Sequence, residues 1–149
     1  MPLGAIVAKA DIMDWPPGSH ASTFGGNPVC CRAASATLDL IEREYLANAA
    51  TRGVELTAAL QQVSTQIPHL ISAPRGLGLM QAVDVLDAGT ISPKRRNAII
   101  QAAFRRGLLL LGCGQAGIRF CPALCVTAEE IATAAQIFTV ACAEDDAAQ

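Results

Sequence analysis

The sequence holds 149 residues, 52% hydrophobic and 16% charged, enough apolar material for a domain-sized core and too little charge for a disordered chain. Its formal net charge of −2 gives no electrostatic footprint for nucleic acid or an anionic membrane surface. No apolar run approaches the ~20 residues of a membrane span, and the first residues lack the basic flank of a secretory signal. A cytoplasmic protein is the expectation.

Leu3 to Ala8 is a continuous apolar run without helical period, which predicts a short buried strand. Lys9 follows it and reads as a solvated strand-end lysine. A turn or short helix over Asp11 to Trp15 is stopped by Pro16-Pro17. Next comes Gly18-Ser19-His20-Ala21-Ser22-Thr23-Phe24-Gly25-Gly26-Asn27-Pro28. Asn27 is a good N-cap, and Pro28 fits the first helical position, where a missing N–H is not needed. The Gly25-Gly26 pair lets the backbone pass close to a ligand or another chain segment. Ser22 and Thr23 can each donate to an anionic oxygen. From the residues alone, this is either a polar turn capping a helix or an anion-binding loop. His20 reads as loop surface.

From Pro28 the period becomes helical, with Cys30, Ala34, Leu38, Ile41 and Tyr45 on one face. Glu42-Arg43-Glu44 interrupts the stripe. Helical character resumes through Leu56, Leu60 and Val63 and ends at Pro68, with a break or bend expected near Gly53. Gly76 to Val85 reads as one strand with Gly78 at a bulge or close approach. Ser92-Pro93 starts a helix that Gly107 ends near Arg106. Leu108 to Leu111 and Ile118 to Cys121 are two short strands. Thr127 to Glu130 is a capping box opening a helix to about Cys142, before a frayed acidic tail. Lys94-Arg95-Arg96 and Arg105-Arg106 are expected on a solvated helix face. The six cysteines form no CxxC pair and stand apart from His20 and His69, so they are expected to be reduced core hydrophobes rather than metal ligands. The sum is one long helix leading into a small α/β unit of about three strands and two helices.

Arg119 lies in an apolar strand, where an unpaired charge is costly. It either turns to solvent or an internal carboxylate, or offers its planar fork to a carboxylate ligand. Arg75, before Gly76-Leu77-Gly78, reads as a structural turn arginine. Asp84 and Asp87 show no acid–base spacing and receive no role.

Three stretches together resemble a known family: Pro2-Leu3-Gly4-Ala5-Ile6-Val7-Ala8 running on to Ser22-Thr23-Phe24-Gly25-Gly26-Asn27-Pro28, then Arg75-Gly76-Leu77-Gly78-Leu79-Met80, then Gly117-Ile118-Arg119-Phe120-Cys121-Pro122-Ala123-Leu124. In this order they resemble the class III (ω-amino acid) aminotransferases, nearest to 4-aminobutyrate and acetylornithine types. The resemblance implies an α/β fold, the C-terminal portion of the pyridoxal-phosphate-dependent transferase fold type I. Residues 1–45 would be the end of the large cofactor domain with the start of the interdomain helix, and 46–149 the small C-terminal domain. It implies amino transfer between an ω- or α-amino acid such as 4-aminobutyrate and a 2-oxo acid such as 2-oxoglutarate, with pyridoxal 5'-phosphate as cofactor and a homodimer as the working unit. Thr23, helped by Ser22, would contact the cofactor phosphate of the partner subunit, and Arg119 would bind a substrate carboxylate. The family's Schiff-base lysine lies just upstream of the Pro-Leu-Gly strand, and Lys9, which follows that strand, does not match it. No catalytic residue is therefore assigned, and the chain is expected to be a C-terminal fragment, inactive alone. The alternatives are a racemase or epimerase of the same fold, or a non-catalytic dimerisation piece.

Overall fold

The computed structural model describes residues 1–148, in two compact units that divide between Glu44 and Tyr45. The first unit contains one regular element, α1 (Pro28–Leu40), and most of a single π turn, Ile41–Tyr45. Asn27 caps α1 as its side chain dictates: Oδ1 accepts from the backbone N–H of Val29 at 3.0 Å and of Cys30 at 3.2 Å. Pro28 sits in the first turn. The expected strand over Leu3 to Ala8 does not form. A strand needs a ladder partner for its N–H and C=O groups, and no described segment pairs with this one. Its apolar side chains lie open, Val7 94% exposed. The apolar stripe of α1 likewise buries nothing.

The second unit holds a continuous core. It begins with α2 (Leu46–Gln66), which runs unbroken through Gly53. The expected bend is absent, and the helical irregularity is the π turn at Ile41–Tyr45 instead. Gly53 has a packing role: a Cβ there would stand 2.6 Å from the backbone of Gly78. The stretch read as one strand is a hairpin, β1 (Arg75–Leu77) and β2 (Met80–Asp84), turning at Gly78, which takes φ +54. That left-handed conformation favours glycine.

After a small hairpin, β3 (Leu86–Asp87) with β4 (Thr90–Ile91), Ser92 caps α3 (Pro93–Arg105). Gly107 ends that turn at φ +87. Leu110 is buried, and strand pairing starts only at β5 (Leu111–Cys113), later than the apolar run suggested. Leu111 is the first residue with a partner opposite it, Arg119 in β6 (Gly117–Phe120). The main sheet is antiparallel in the order β1-β2-β6-β5.

Thr127 and Glu130 form the expected capping box at the start of α4 (Ala128–Asp146), each side chain bonding the other's backbone N–H. This helix continues past Cys142, so the acidic residues are not a frayed tail. Asp145 and Asp146 bind Arg95, and Glu144 binds Arg105 and Arg106. The expectation of a wholly solvated basic face therefore fails at Arg95, which is buried. Leu60, Leu70, Val83, Val85, Ile99, Ile118 and Phe138 are fully buried between the sheet and the helices. Phe120 meets Phe138 edge-on with ring centroids 5.1 Å apart.

Candidate functional site

Among the described residues, the stretches singled out in the sequence carry unpartnered donors in both units; the buried Nε of Arg52, whose Nη1 pairs with Glu55, is a further unpartnered donor outside them. In the first unit the chain turns twice before α1. The N–H of Gly25 donates to the carbonyl of Ser22 at 3.1 Å and that of Asn27 to the carbonyl of Phe24 at 3.3 Å. Gly26 takes φ +72. These turns leave Ser22 and Thr23 exposed just ahead of the helix. Neither hydroxyl is used in a hydrogen bond among the described residues. Two free hydroxyls on a glycine-bearing turn ahead of a helix start are donors of the kind a phosphate oxygen takes. His20 lies against Trp15, ring centroids 4.2 Å apart, and stays exposed. Lys9 is exposed, and its carbonyl accepts from Ile12 and Met13.

In the second unit the sheet has one face on the core and one open face. Cross-strand partners share a face, so the register fixes which residues meet there. Arg75 lies opposite Ala82, Ala82 opposite Arg119, and Arg119 opposite Leu111, one row across all four strands. Leu77 and Met80 form the row on one side. Asp84, Gly117 and Cys113 form the row on the other. An open concavity of about 610 Å3 lies over the Leu77–Met80 side of this surface and is lined by Arg119, Arg75 and Ala82 among others.

The two arginines on this face differ. Arg75 is held by Asp84 in a bidentate fork, Nη1 to Oδ2 at 2.6 Å and Nη2 to Oδ1 at 2.9 Å. Arg119 forms no ion pair among the described residues, and its Nε is buried without a hydrogen-bond partner. A buried N–H left unpaired costs free energy, and a planar carboxylate bound beside it would remove that cost. Sequence reasoning gave Asp84 no role. The available signal was Gly78: a two-residue turn at Gly78-Leu79 sets Arg75 opposite Ala82 and leaves Asp84 two residues further along the same face.

The six cysteines are free. The Cys142 thiol is buried, and desolvation with the nearby Asp145 carboxylate pushes its pKa far above the ordinary thiol range, so it stays protonated. The other five are exposed or half-buried, so core burial, expected for all six, holds for Cys142 alone.

A sequence model of the family Aminotransferase class-III matches residues 1–142. The chain belongs to the class-III aminotransferases. It is 41% identical over 132 residues to an acetylornithine aminotransferase of Gloeobacter violaceus, covering 88% of this chain and 32% of that one. It is 37% identical over 141 residues to the mitochondrial ornithine aminotransferase of Oryza sativa, covering 93% and 30%. Among solved structures, the acetylornithine aminotransferase of Elizabethkingia anophelis superposes with a TM-score of 0.76 at 32% identity, over 93% of this chain and 34% of that one. The lysine aminotransferase of M. tuberculosis gives 0.78 at 29% identity, over 87% and 29%. The α/β architecture is therefore that of the class-III transaminases, enzymes that use pyridoxal phosphate. The chain spans about a third of the length of the curated relatives it matches. No helix of the described residues is long and apolar enough to cross a membrane.

Proposed function

We propose that this chain is the C-terminal portion of a pyridoxal-phosphate-dependent aminotransferase that moves an amino group from an ω- or α-amino acid to a 2-oxo acid such as 2-oxoglutarate. The observation that carries the reading is the family match over residues 1–142, to which the two unpartnered anion donor sets add chemistry. Residues 1–45 would belong to the large domain and 46–149 to the small one. The donor is acetylornithine or ornithine, named in the two curated relatives above, in preference to 4-aminobutyrate.

When bound, pyridoxal phosphate supplies an electron-withdrawing ring that delocalises the carbanion formed at the substrate carbon. This chain's own part is binding and orientation. The Thr23 hydroxyl, with Ser22 beside it, donates to the cofactor phosphate bound in the partner subunit of a homodimer. Arg119 fixes the substrate carboxylate with its guanidinium fork, so the carbon to be deprotonated is held in one place. The lysine that anchors the cofactor would come from polypeptide matching the other two thirds of the relatives. The experiment is a chimera in which residues 1–149 replace the matching third of the Gloeobacter violaceus enzyme. It should form glutamate from 2-oxoglutarate with N-acetylornithine at least tenfold faster than with 4-aminobutyrate. A folded, cofactor-loaded chimera without transfer to any 2-oxo acid would refute the reading.

A further inference from the structure

The row Arg75–Ala82–Arg119 sets two guanidiniums on one face, with the smallest chiral side chain between them. Adjacent strands lie about 4.8 Å apart, so the backbones of Arg75 and Arg119 stand roughly 10 Å from each other. Left free, two arginines at this spacing on flexible stems would both reach a ligand with a carboxylate at each end. Only one is free. Both oxygens of Asp84 are committed to Arg75, and Asp84 stands in the row on the side away from Leu77 and Met80. Gly117 lies directly opposite Asp84: a Cβ there would stand 2.8 Å from both the carbonyl oxygen and Sγ of Cys113 and 3.2 Å from Asp84 Oδ1, so the glycine is required chiefly by Cys113 and also leaves Asp84 room.

We infer that Asp84 is a charge-masking, positioning residue that occupies the guanidinium fork of Arg75 at the edge of the concavity, so that the open face grips a single carboxylate through Arg119 and lays the rest of the molecule against Ala82, Leu77 and Met80. This rests on the reading of Arg119 as the carboxylate site and adds a selectivity rule to it. The face does not favour a dicarboxylate over a monocarboxylate of similar length. Both Asp84 and Arg75 are partly exposed, so their pairing contributes little to stability. Its main effect is on the field that an incoming anion meets.

The test uses the 149-residue chain labelled with 15N, following the Arg119 Nε–Hε resonance, assigned with Arg119→Lys, during titration with butyrate and with glutarate. In the natural sequence the two anions should bind within about twofold of each other, the statistical advantage of two identical ends. In Asp84→Asn the unmasked Arg75 should strengthen glutarate relative to butyrate by about threefold or more, the scale of one added charge at this distance near water. Arg75→Gln/Asp84→Asn should lose that gain. Arg75→Gln alone should weaken glutarate more than butyrate, because the unpaired Asp84 carboxylate then faces the ligand and repels a dianion more than a monoanion. Backbone amide spectra report whether each variant folds, and Arg75→Gln decides the matter if Asp84→Asn does not. A glutarate-to-butyrate ratio unchanged in Asp84→Asn, or a gain that persists in the double variant, overturns the masking role alone. An Arg119 resonance that neither anion moves overturns both the masking and the carboxylate role of Arg119. The chimera assay above tests the aminotransferase reading independently.

Discussion

Arg95 buries its guanidinium with a carboxylate beside it. Its side chain is 6% exposed and that of Asp145 is 4% exposed, with Nε 2.7 Å from Asp145 Oδ2. Nη2 reaches Asp146 Oδ1 at 2.9 Å, and His69 Nε2 lies 3.0 Å from the other oxygen of Asp146. Burial works against the Arg95 charge, but the hydrogen bonds it donates to Asp145 and Asp146 outweigh it and hold the guanidinium charged. Hydrogen bonds from Arg95 and His69 hold the Asp146 carboxyl below its usual range. Removing one partner of a buried pair leaves the other desolvated and unpaired, so Arg95→Ala should cost about 3 kcal/mol at pH 7 in a denaturant titration. The pH dependence has a definite sign. A carboxyl depressed on folding stabilises above its unfolded pKa, and that contribution is lost as pH falls through the folded value. The gap between Arg95→Ala and the natural sequence should therefore narrow below about pH 4. A gap constant from pH 7 into acid would show that Asp146 is not part of the network.

At the scale of elements, the tightest constraint is where α2 crosses the β1–β2 turn. Two opposing effects meet at Gly53. Alanine is favoured over glycine inside a helix by about 1 kcal/mol. Against this, the added Cβ would lie 2.6 Å from the Gly78 backbone, which cannot rotate aside as a flexible side chain could. The overlap should win: Gly53→Ala is expected to lower stability by about 1–3 kcal/mol, read from the urea midpoint. Gain of stability would mean that the helix and hairpin separate easily. Elements whose ends are set by local chemistry were legible in the sequence: Asn27-Pro28, Ser92-Pro93 and the Thr127–Glu130 box each fixed a helix start to the residue. Elements set by pairing were not. Gly78 as a turn, the shift of β5 to Leu111 and the unformed Leu3–Ala8 strand all depend on what lies opposite, which no local pattern records. The burial of Arg95 was hidden for the same reason, since Asp145 is fifty residues away and meets it only after α3 and α4 pack.

At the scale of the molecule, the second unit closes a core of its own, while the first exposes Ile6, Val7, Ile12, Phe24 and Val29. That contrast fits a chain matching about a third of its relatives' length. The stretches at Ser22-Thr23 and Gly117-Ile118-Arg119 were singled out through the family resemblance, because the residues alone left a polar capping turn and a solvent-facing arginine open. What the row across the sheet adds, the Arg75–Asp84 fork beside a free Arg119, needed the register. The account stands most directly on the free guanidinium, and kinetics of the chimera with Arg119→Gln test it. Loss of a charge-assisted bidentate grip should raise KM for 2-oxoglutarate or lower kcat, with kcat/KM down about a hundredfold or more and the cofactor still bound. A kcat/KM within about threefold of the unsubstituted chimera would contradict the assignment of Arg119 to the substrate carboxylate.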